Sequence, residues 1–427
     1  MKRVLVKELA QKLGEEVLVQ GWVFRWRRLS KINFILLRDR SGIIQVSVDP
    51  ALVAGLHISL ESVMEIEGIV QQEPRAPEGY EVVARKVELL APASGLPFNV
   101  NAPNLKVNLE GILDHRVLSL RHEKINPVFR IQAALVQSFQ RFLDQEDFLQ
   151  VFTPKIVGAG TEGGTELFSL QYFEEEAFLA QSPQFYKQML VGAGYERVYE
   201  VGQVYRAEKH ATSRHLNEYV SLDLEMGFIA DEHDLMDLQN RLLAFMFSRL
   251  KEDCRQELRA LGVQLKPVGH IPRVPLQEAV EILDREFGKK LEGFDLDPEG
   301  ERLLSGYFLQ HTGSEFVYVT DYHQDHRPMY TMPKKNNLTA SFDLLFKGLE
   351  ITTGGQRIHD YALLKANMEK KGLDPKDFSS YLDSFKWGLP PHGGLAIGLE
   401  RLTAQIVGLA NVREASLFPR DRHRLTP

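Results

Sequence analysis

Between residues 17 and 90, apolar and polar positions alternate in short runs divided by turn residues: VLVQGWVFRW, INFILLRD, GIIQVSVD, SVMEIEGIVQQ and YEVVARKVELL. A period of two puts successive side chains on opposite faces of a strand, so these runs predict five half-buried strands. Five strands suit a small closed barrel. Among such barrels the OB-fold is the one that presents aromatic and basic side chains to single-stranded nucleic acid. Pro92, Pro97 and Pro103 then fall in a stretch without periodicity, which reads as a linker or hinge over 93–125, after a barrel domain over 1–92. The period changes at 126. Val128, Ile131, Leu135, Phe139 and Phe142 recur at spacings of three and four, predicting a helix with Asn126 as N-cap and Pro127 in its first turn. Strand-like runs follow at 177–180, 197–205, 219–228, 316–320, 339–346 and 395–397, broken by helical stretches near 232–260, 275–287 and 399–408. Strands that cluster instead of alternating strictly with helices predict an α+β domain over 126–427, with an antiparallel sheet flanked by helices.

Composition narrows the classes. The chain has 427 residues, 44% hydrophobic and 26% charged, which is more than one core usually organises and far from a disordered or fibrous sequence. Its net charge of −7 argues against a nonspecific nucleic-acid coat. The average hides a polarity, because residues 1–40 hold ten Lys or Arg against four Asp or Glu. A basic module therefore precedes an acidic body. The single cysteine, Cys254, excludes an intrachain disulfide framework and favours a reducing compartment. The start, MKRVLVKELAQKLGEE, lacks a signal-peptide apolar run, and no run approaches a membrane span, so a cytoplasmic protein is expected.

Neither a GxxxxGK[ST] loop nor a strand-bound GxGxxG is present, so neither common nucleotide fold has its signature. Chemistry concentrates in three later segments. In VYEVGQVYRAEKHATSRHLNEYVSLDLEMGF, Arg206 and Glu208 stand two apart, on one face if the strand continues. A guanidinium there can hold a phosphate, although such a pair alone is commonly a surface ion pair. In SFDLLFKGLEITTGGQRIH, Asp343 and Glu350 suit the two arms of a hairpin or adjacent strands. Converging carboxylates are hard oxygen ligands for magnesium; solvated acids at a turn are the alternative. Gly354 and Gly355 permit close backbone approach, and Arg357 follows them. In PPHGGLAIGLERLTAQIVG, a Gly-rich loop and short strand lead into an amphipathic helix bearing Arg401.

Taken together the segments resemble a class II aminoacyl-tRNA synthetase, and specifically the aspartyl-tRNA synthetases of the short, archaeal-like kind. FLQVFTP at 148–154 is similar to the first class motif, VYRAE through LDLEM to the second and GLER at 398–401 to the third. TEGG at 161–164, QSPQFYKQ at 181–188, GLEITTGGQRIH at 348–359 and FPRDRHRLTP at the end add to the likeness, which runs over essentially the whole chain. The interval between the second and third motifs is too short for the bacterial insertion domain.

The resemblance implies an anticodon-binding OB domain, a class II catalytic domain and a homodimer formed through the first motif. It implies ATP as substrate, magnesium as cofactor and tRNA(Asp) as partner. Arg206, Glu208 and Arg401 would be the catalytic set: Arg206 on the α-phosphate of ATP, Glu208 beside the adenine, Tyr219 and Arg401 sandwiching the base. Asp343 and Glu350 would hold magnesium. Glu162 would pair with the amino group of aspartate, supported by Gln184. Lys187 and Arg357 would clamp its side-chain carboxylate, with Asp223 orienting them. Two cations left uncompensated by a neutral amide would cost roughly 3 to 5 kcal/mol, which favours aspartate over asparagine. On the barrel, Phe34 would stack on an anticodon base, Gln45 would hydrogen-bond one and Arg25 would contact the loop. Phe34 also alternates with Ile32 and Leu36, which leaves a core position open.

Some positions depart from the family pattern. RRLSKINF carries Ser30 where glycine is usual, and Phe24 stands in the neighbourhood with which relatives read the third anticodon base. Charging of tRNA(Asp) alone, and charging of tRNA(Asn) as well for later conversion by a partner amidotransferase, are both compatible with this. Tyr205 stands where phenylalanine is common. An amide-forming paralogue that makes free asparagine would lack the barrel. A catalytically dead RNA-binding regulator would lack at least one of Arg206, Asp343, Glu350 and Arg401. A zinc hydrolase on His323 and His326 has no third ligand at a recognisable spacing.

Overall fold

Alternation in the first ninety residues closes a barrel. In the computed structural model, which describes residues 1–160, 166–209, 212–291 and 295–427, β1 (Glu16–Arg27), β2 (Asn33–Arg38), β3 (Ile43–Val48), β4 (Val63–Gln72) and β5 (Tyr80–Ala91) pair in the closed order β1-β2-β3-β5-β4. Val17, Val19, Ile35, Leu37, Ile44, Val46, Ile66 and Val82 fill its interior. The opposite faces of the same strands look outward. A bulge between Val23 and Arg25 in β1 brings Arg25 opposite Leu36, which in turn lies opposite Gln45. Phe34 sits one row along, opposite Arg27 and Ser47, and is half-buried on this outer face while Ile35 and Leu37 are the core residues. Gln45 donates to Glu81 on β5 at 2.7 Å.

The chain divides into compact units Met1–Asn108 and Leu109–Pro427. The 93–125 stretch expected as a linker is thus shared out. Its first part clusters with the barrel, where Asn101 bonds Glu61 and the Phe24 carbonyl, and its second part forms short helices Leu109–Asp114 and Arg116–Ser119.

In the second unit, β6 (Leu149–Gln150), β10 (Arg197–Tyr205), β11 (Glu218–Gly227), β12 (Arg273–Pro275), β13 (Phe316–Thr320), β14 (Ser341–Phe346), β15 (Leu349–Arg357) and β16 (His392–Gly398) make one sheet. Its order is β12-β13-β14-β15-β16-β11-β10-β6, antiparallel except for the two outermost pairs, β12/β13 and β10/β6. A small sheet of β7 (Ile156–Val157), β8 (Ser169–Tyr172) and β9 (Glu175–Leu179) lies apart. Helices Asn126–Gln145 and Glu232–Asp253 cover one face of the large sheet, where Phe139, Leu143, Leu242 and Phe247 meet Leu222, Leu224, Phe342 and Leu395. Period-two alternation leaves the other face to polar residues. No helix among the described residues is long and apolar enough to cross a membrane.

Two expectations are corrected. Asn126 is not the N-cap: its backbone N–H already bonds His122 O, so a turn leads straight into the helix, and its side chain accepts from Arg130. The 232–260 helix is two, Glu232–Asp253 and Arg255–Ala260, parted at Cys254. Gly354 and Gly355 lie inside β15, where a Cβ on Gly354 would stand 2.5 Å from Phe342 Cζ and one on Gly355 2.6 Å from Ala340 O. The close approach those glycines permit is to neighbouring strands.

Helix Leu399–Val407 is tied to β11 by Glu400, whose carboxylate accepts from Val220 N at 3.1 and 3.2 Å. Burial lifts this carboxyl to about 7, against the lowering effect of its backbone hydrogen bonds. A carboxyl whose folded pKa lies above its unfolded value keeps a proton that the unfolded chain has released. Its contribution therefore falls as pH rises from the ordinary 4.5 towards about 7. In urea titrations, Glu400→Gln should gain stability relative to wild type across that window and level off above it. A difference that does not change with pH would contradict the shift.

Candidate active site

The polar face of the large sheet is built in rows. Asp223 on β11, Ala396 on β16, Thr353 on β15 and Asp343 on β14 lie side by side, and Glu225, Gly394, Gly355 and Ser341 form the next row. Small residues in the middle of each row make a trough, with charged residues at its sides. A cavity of about 760 Å³ occupies it and adjoins a narrower one of about 130 Å³, both lined by Arg206, Tyr219, Ser221, Glu350 and Thr353.

At one end of the trough four charges interlock below the surface. Lys187, on helix Gln184–Leu190, donates to Asp223 Oδ1 at 2.9 Å and lies 3.3 Å from Glu225 Oε2. Arg357 donates through Nε to Glu225 Oε1 at 3.0 Å, and through Nη2 to Gly394 O at 3.0 Å and Gln184 Oε1 at 3.3 Å. Burial works to raise the Glu225 carboxyl, but attraction from Arg357 and Lys187 outweighs it and holds the group below the usual carboxylate range. Gly394 has a reason here: a Cβ would stand 2.0 Å from Glu225 Oε2.

At the other end the field is positive. Arg206, Arg214, Arg401 and His215 line the narrower cavity. Burial, then Arg401, Arg214 and Arg206, push His215 down to about 4, so the imidazole stays neutral among the guanidinium groups. Arg206 and Glu208 lie just past the end of β10, held by Asn217, whose carbonyl accepts from Arg206 N and whose side chain donates to Arg206 O. Arg401 donates to Glu350 O at 3.0 Å and to Arg214 O at 3.2 Å. Such a cluster suits a polyphosphate.

Carboxylates face it across the trough. Asp343 and Glu350 are on the two arms of the β14–β15 hairpin, turned through Lys347 and Gly348 at positive φ. Arg327, stacked 3.7 Å over Tyr322, donates to Asp343 Oδ2 at 2.7 Å, while Asp343 Oδ1 is buried without a hydrogen-bond partner. Burial, with Glu350 adding to it, raises Asp343 despite Arg327. Glu301 is lifted to about 7 by burial and by Glu350, against Arg214. Each of these acids has an arginine beside it, Arg327 by Asp343, Arg214 by Glu301 and Arg401 by Glu350, and burial is the main cause of the two raised carboxyls. Among the described residues no group of three or more His, Cys, Asp or Glu could hold a metal ion alone. Two carboxylates, one with an unpartnered oxygen, nevertheless fit a magnesium ion whose other ligands are phosphates and water.

The structure brings together Gln184, Lys187, Arg206, Glu208, Tyr219, Asp223, Asp343, Glu350, Arg357 and Arg401 in the one cleft. Glu162 lies outside the described residues. Arg25, Phe34 and Gln45 are on the barrel. Asp223 pairs with Lys187, and Glu225 joins Lys187 to Arg357. Sequence reasoning missed Glu225, although LDLEM alternates acid with leucine and so puts both acids on one strand face. It also missed Arg214, His215, Glu301 and Arg327.

Comparison with known proteins agrees with this geometry. Residues 108–422 match the family described as tRNA synthetases class II (D, K and N), and residues 17–90 match the OB-fold nucleic acid binding domain. The chain is 50% identical to the aspartate–tRNA(Asp/Asn) ligase of Thermus thermophilus over 100% of both chains. It is 41% identical to the aspartate–tRNA(Asp) ligase of Pyrococcus abyssi over 98% of each. The asparaginyl-tRNA synthetase of Pyrococcus horikoshii, solved with asparaginyl-adenylate, superimposes with a TM-score of 0.94 at 32% identity, covering 100% of both chains.

Glu225 is the member of the buried cluster that both cations need. Glu225→Gln keeps its shape but leaves one carboxylate, Asp223 beside Lys187, to balance two buried cations, and should cost about 3 to 5 kcal/mol in urea unfolding. Adding Lys187→Met should recover part of that loss, and equal stability of single and double variants would show that the charges are not coupled.

Proposed function

Because the chain belongs to the class II tRNA synthetases of the aspartate, lysine and asparagine group, we propose that it joins L-aspartate to the 3′ end of tRNA(Asp), using ATP and passing through aspartyl-adenylate. The observation that carries the choice of amino acid is the Lys187–Arg357 pair at the inner end of the cleft. Asp223 and Glu225 already balance the two cations, so a neutral amide would not leave them uncompensated. Preference then rests on hydrogen-bond polarity. A carboxylate offers only acceptors to Lys and Arg donors, whereas an amide turns an NH2 group towards them, a mismatch worth orders of magnitude in selectivity.

The roles proposed are those that the family resemblance implies, and the cleft lining supports them for the described residues. Arg206 binds the α-phosphate, Glu208 contacts the adenine, and Tyr219 and Arg401 enclose the base. Glu162, with Gln184, holds the substrate's amino group. The aspartate α-carboxylate attacks the α-phosphorus in line, and pyrophosphate leaves from among Arg206, Arg214 and Arg401. The terminal ribose hydroxyl of the tRNA then attacks the adenylate carbonyl and releases AMP. Positioning and charge stabilisation do most of this work. Asp343 and Glu350 would hold magnesium, which when bound neutralises phosphate charge.

The barrel, over 1–92, is proposed as the anticodon reader, with Arg25, Phe34 and Gln45 on one outer face supporting it. A homodimer is supported by the first-motif segment, where Phe152 is 82% exposed. The buried lone cysteine fits the cytoplasm. A second reading, in which tRNA(Asn) is also aspartylated and a partner amidotransferase finishes the product, is favoured by the double specificity in the name of the Thermus relative.

Transcripts of tRNA(Asp) and tRNA(Asn), supplied with labelled aspartate, ATP and magnesium, decide between the readings. Charging of the first alone supports the discriminating enzyme and charging of both the relaxed one. Transfer of asparagine, or no transfer, defeats the proposal. Arg206→Ala should lower ATP–pyrophosphate exchange by at least about a hundredfold, as expected for losing a group that stabilises developing charge. Exchange near the wild-type rate would remove Arg206 from its assigned role.

A further inference from the structure

Behind Arg357 and Gln184 runs a line of buried polar side chains, Gln188, Tyr381 and His392, that the mechanism does not use. Arg357 Nη2 donates to Gln184 Oε1 at 3.3 Å, and Gln184 Nε2 donates to Gln188 Oε1 at 3.0 Å. Gln188 Nε2 contacts His392 Nε2 at 2.8 Å, and His392 Nδ1 contacts Pro390 O at 2.9 Å. Tyr381 adds a hydroxyl donor to Gln188 Oε1 at 2.9 Å. Gln184, Gln188, Tyr381 and His392 are all buried. Neither Gln188 nor His392 lines the cleft.

The line has one direction. A backbone carbonyl only accepts, so Pro390 O requires the proton on His392 Nδ1, and the neutral ring then offers Nε2 as an acceptor. Burial supports the neutral form, pushing the imidazole down to about 4 against the pull of Glu225 and the Pro390 hydrogen bond. Gln188 must therefore turn its NH2 to His392 and its oxygen to Tyr381 and Gln184. Gln184 must in turn show its oxygen to Arg357. Reversing either amide sets donor against donor in a place water does not reach, which is where an unmade hydrogen bond costs most.

We propose that His392 is a positioning residue for substrate selectivity, fixing Arg357 through Gln188 and Gln184 so that its guanidinium meets a carboxylate and not an amide. This deepens the proposed function and rests on it. With Glu225, Gly394 O and Gln184 Oε1 all accepting from Arg357, the guanidinium plane is pinned on three sides. With the Nε and Nη2 donors committed, the pinned plane gives Nη1 one direction in which to donate to a carboxylate oxygen. A guanidinium freed on the Gln184 side can tilt towards a single amide oxygen, and discrimination falls.

The test is ATP–pyrophosphate exchange by the full chain with aspartate or asparagine, in wild type, His392→Leu, His392→Gln and Gln188→Met. His392→Leu should raise KM for aspartate on the order of tenfold, the effect of one lost buried hydrogen bond, and lower the aspartate-to-asparagine ratio of kcat/KM. KM for ATP should not move. His392→Gln, which places an amide oxygen where Nε2 accepted, should restore most of the loss, and Gln188→Met, cutting the next link without touching His392, should reproduce it. Unchanged aspartate KM and selectivity in His392→Leu and Gln188→Met would overturn the relay, as would a parallel rise in both KM values with no rescue by glutamine. If wild type showed no aspartate-dependent exchange, the functional reading itself would fall, and the proposal with it.

Discussion

Everything specific about this cleft hangs on burying two cations and two carboxylates together. Lys187, Arg357, Asp223 and Glu225 come from a helix and two strands, and each charge is tolerable in the interior only because the others are in reach. The requirement propagates outward. It demands glycine at 394, because the Glu225 carboxylate takes the space of a side chain. It fixes the register of β11 against β16 and of β16 against β15, since a slip by one residue would send Glu225 or Arg357 into the apolar face. The same alternation keeps Leu222, Leu224, Leu395 and Ile397 in the core.

The rest of the cleft is a gradient laid across that register. Beyond the balanced cluster come the buried or half-buried carboxylates Asp343, Glu350 and Glu301, each with an arginine beside it, and then guanidinium groups around a neutral His215. A ligand that carries phosphates and a metal ion brings charge of both signs to this stretch. The raised carboxyls and the depressed imidazole are thus two marks of one fact, a site whose electrostatics are completed only by its substrate.

Legibility in the sequence followed the physics of each element. Barrel strands such as IIQVSV are half-buried, so they write their alternation into the residues. Helix Asn126–Gln145 shows its apolar stripe for the same reason. The hairpin arm that carries Glu350 was legible, but how far β15 runs was not, because the trough needs small residues and TTGG shows no alternation of apolar and polar positions. Helices Pro298–Thr312, Tyr361–Lys370 and Ser379–Lys386 were overlooked although their apolar residues do recur at helical spacing, as Leu304 with Phe308, Leu364 with Met368 and Tyr381 with Phe385. In the cleft, residues within recognisable strings were found. Those whose meaning is a contact were not: Glu225 looks like any strand acid, and Gln188 and His392 are 204 positions apart.

The balanced cluster also says what kind of selectivity this fold can hold. A pocket that attracted carboxylates by net positive charge would attract every anion, and salt would weaken it. Here the charges cancel before substrate arrives, so what remains is the direction of hydrogen bonds, short in range and set by neighbours. Direction has to be anchored somewhere that cannot turn. A backbone carbonyl is such an anchor, and a chain of amides and an imidazole carries its polarity to the guanidinium without adding a charge. Backbone shape can then stay nearly constant between proteins handling acid and amide, because the decision lies in donors and acceptors beneath the floor of the trough.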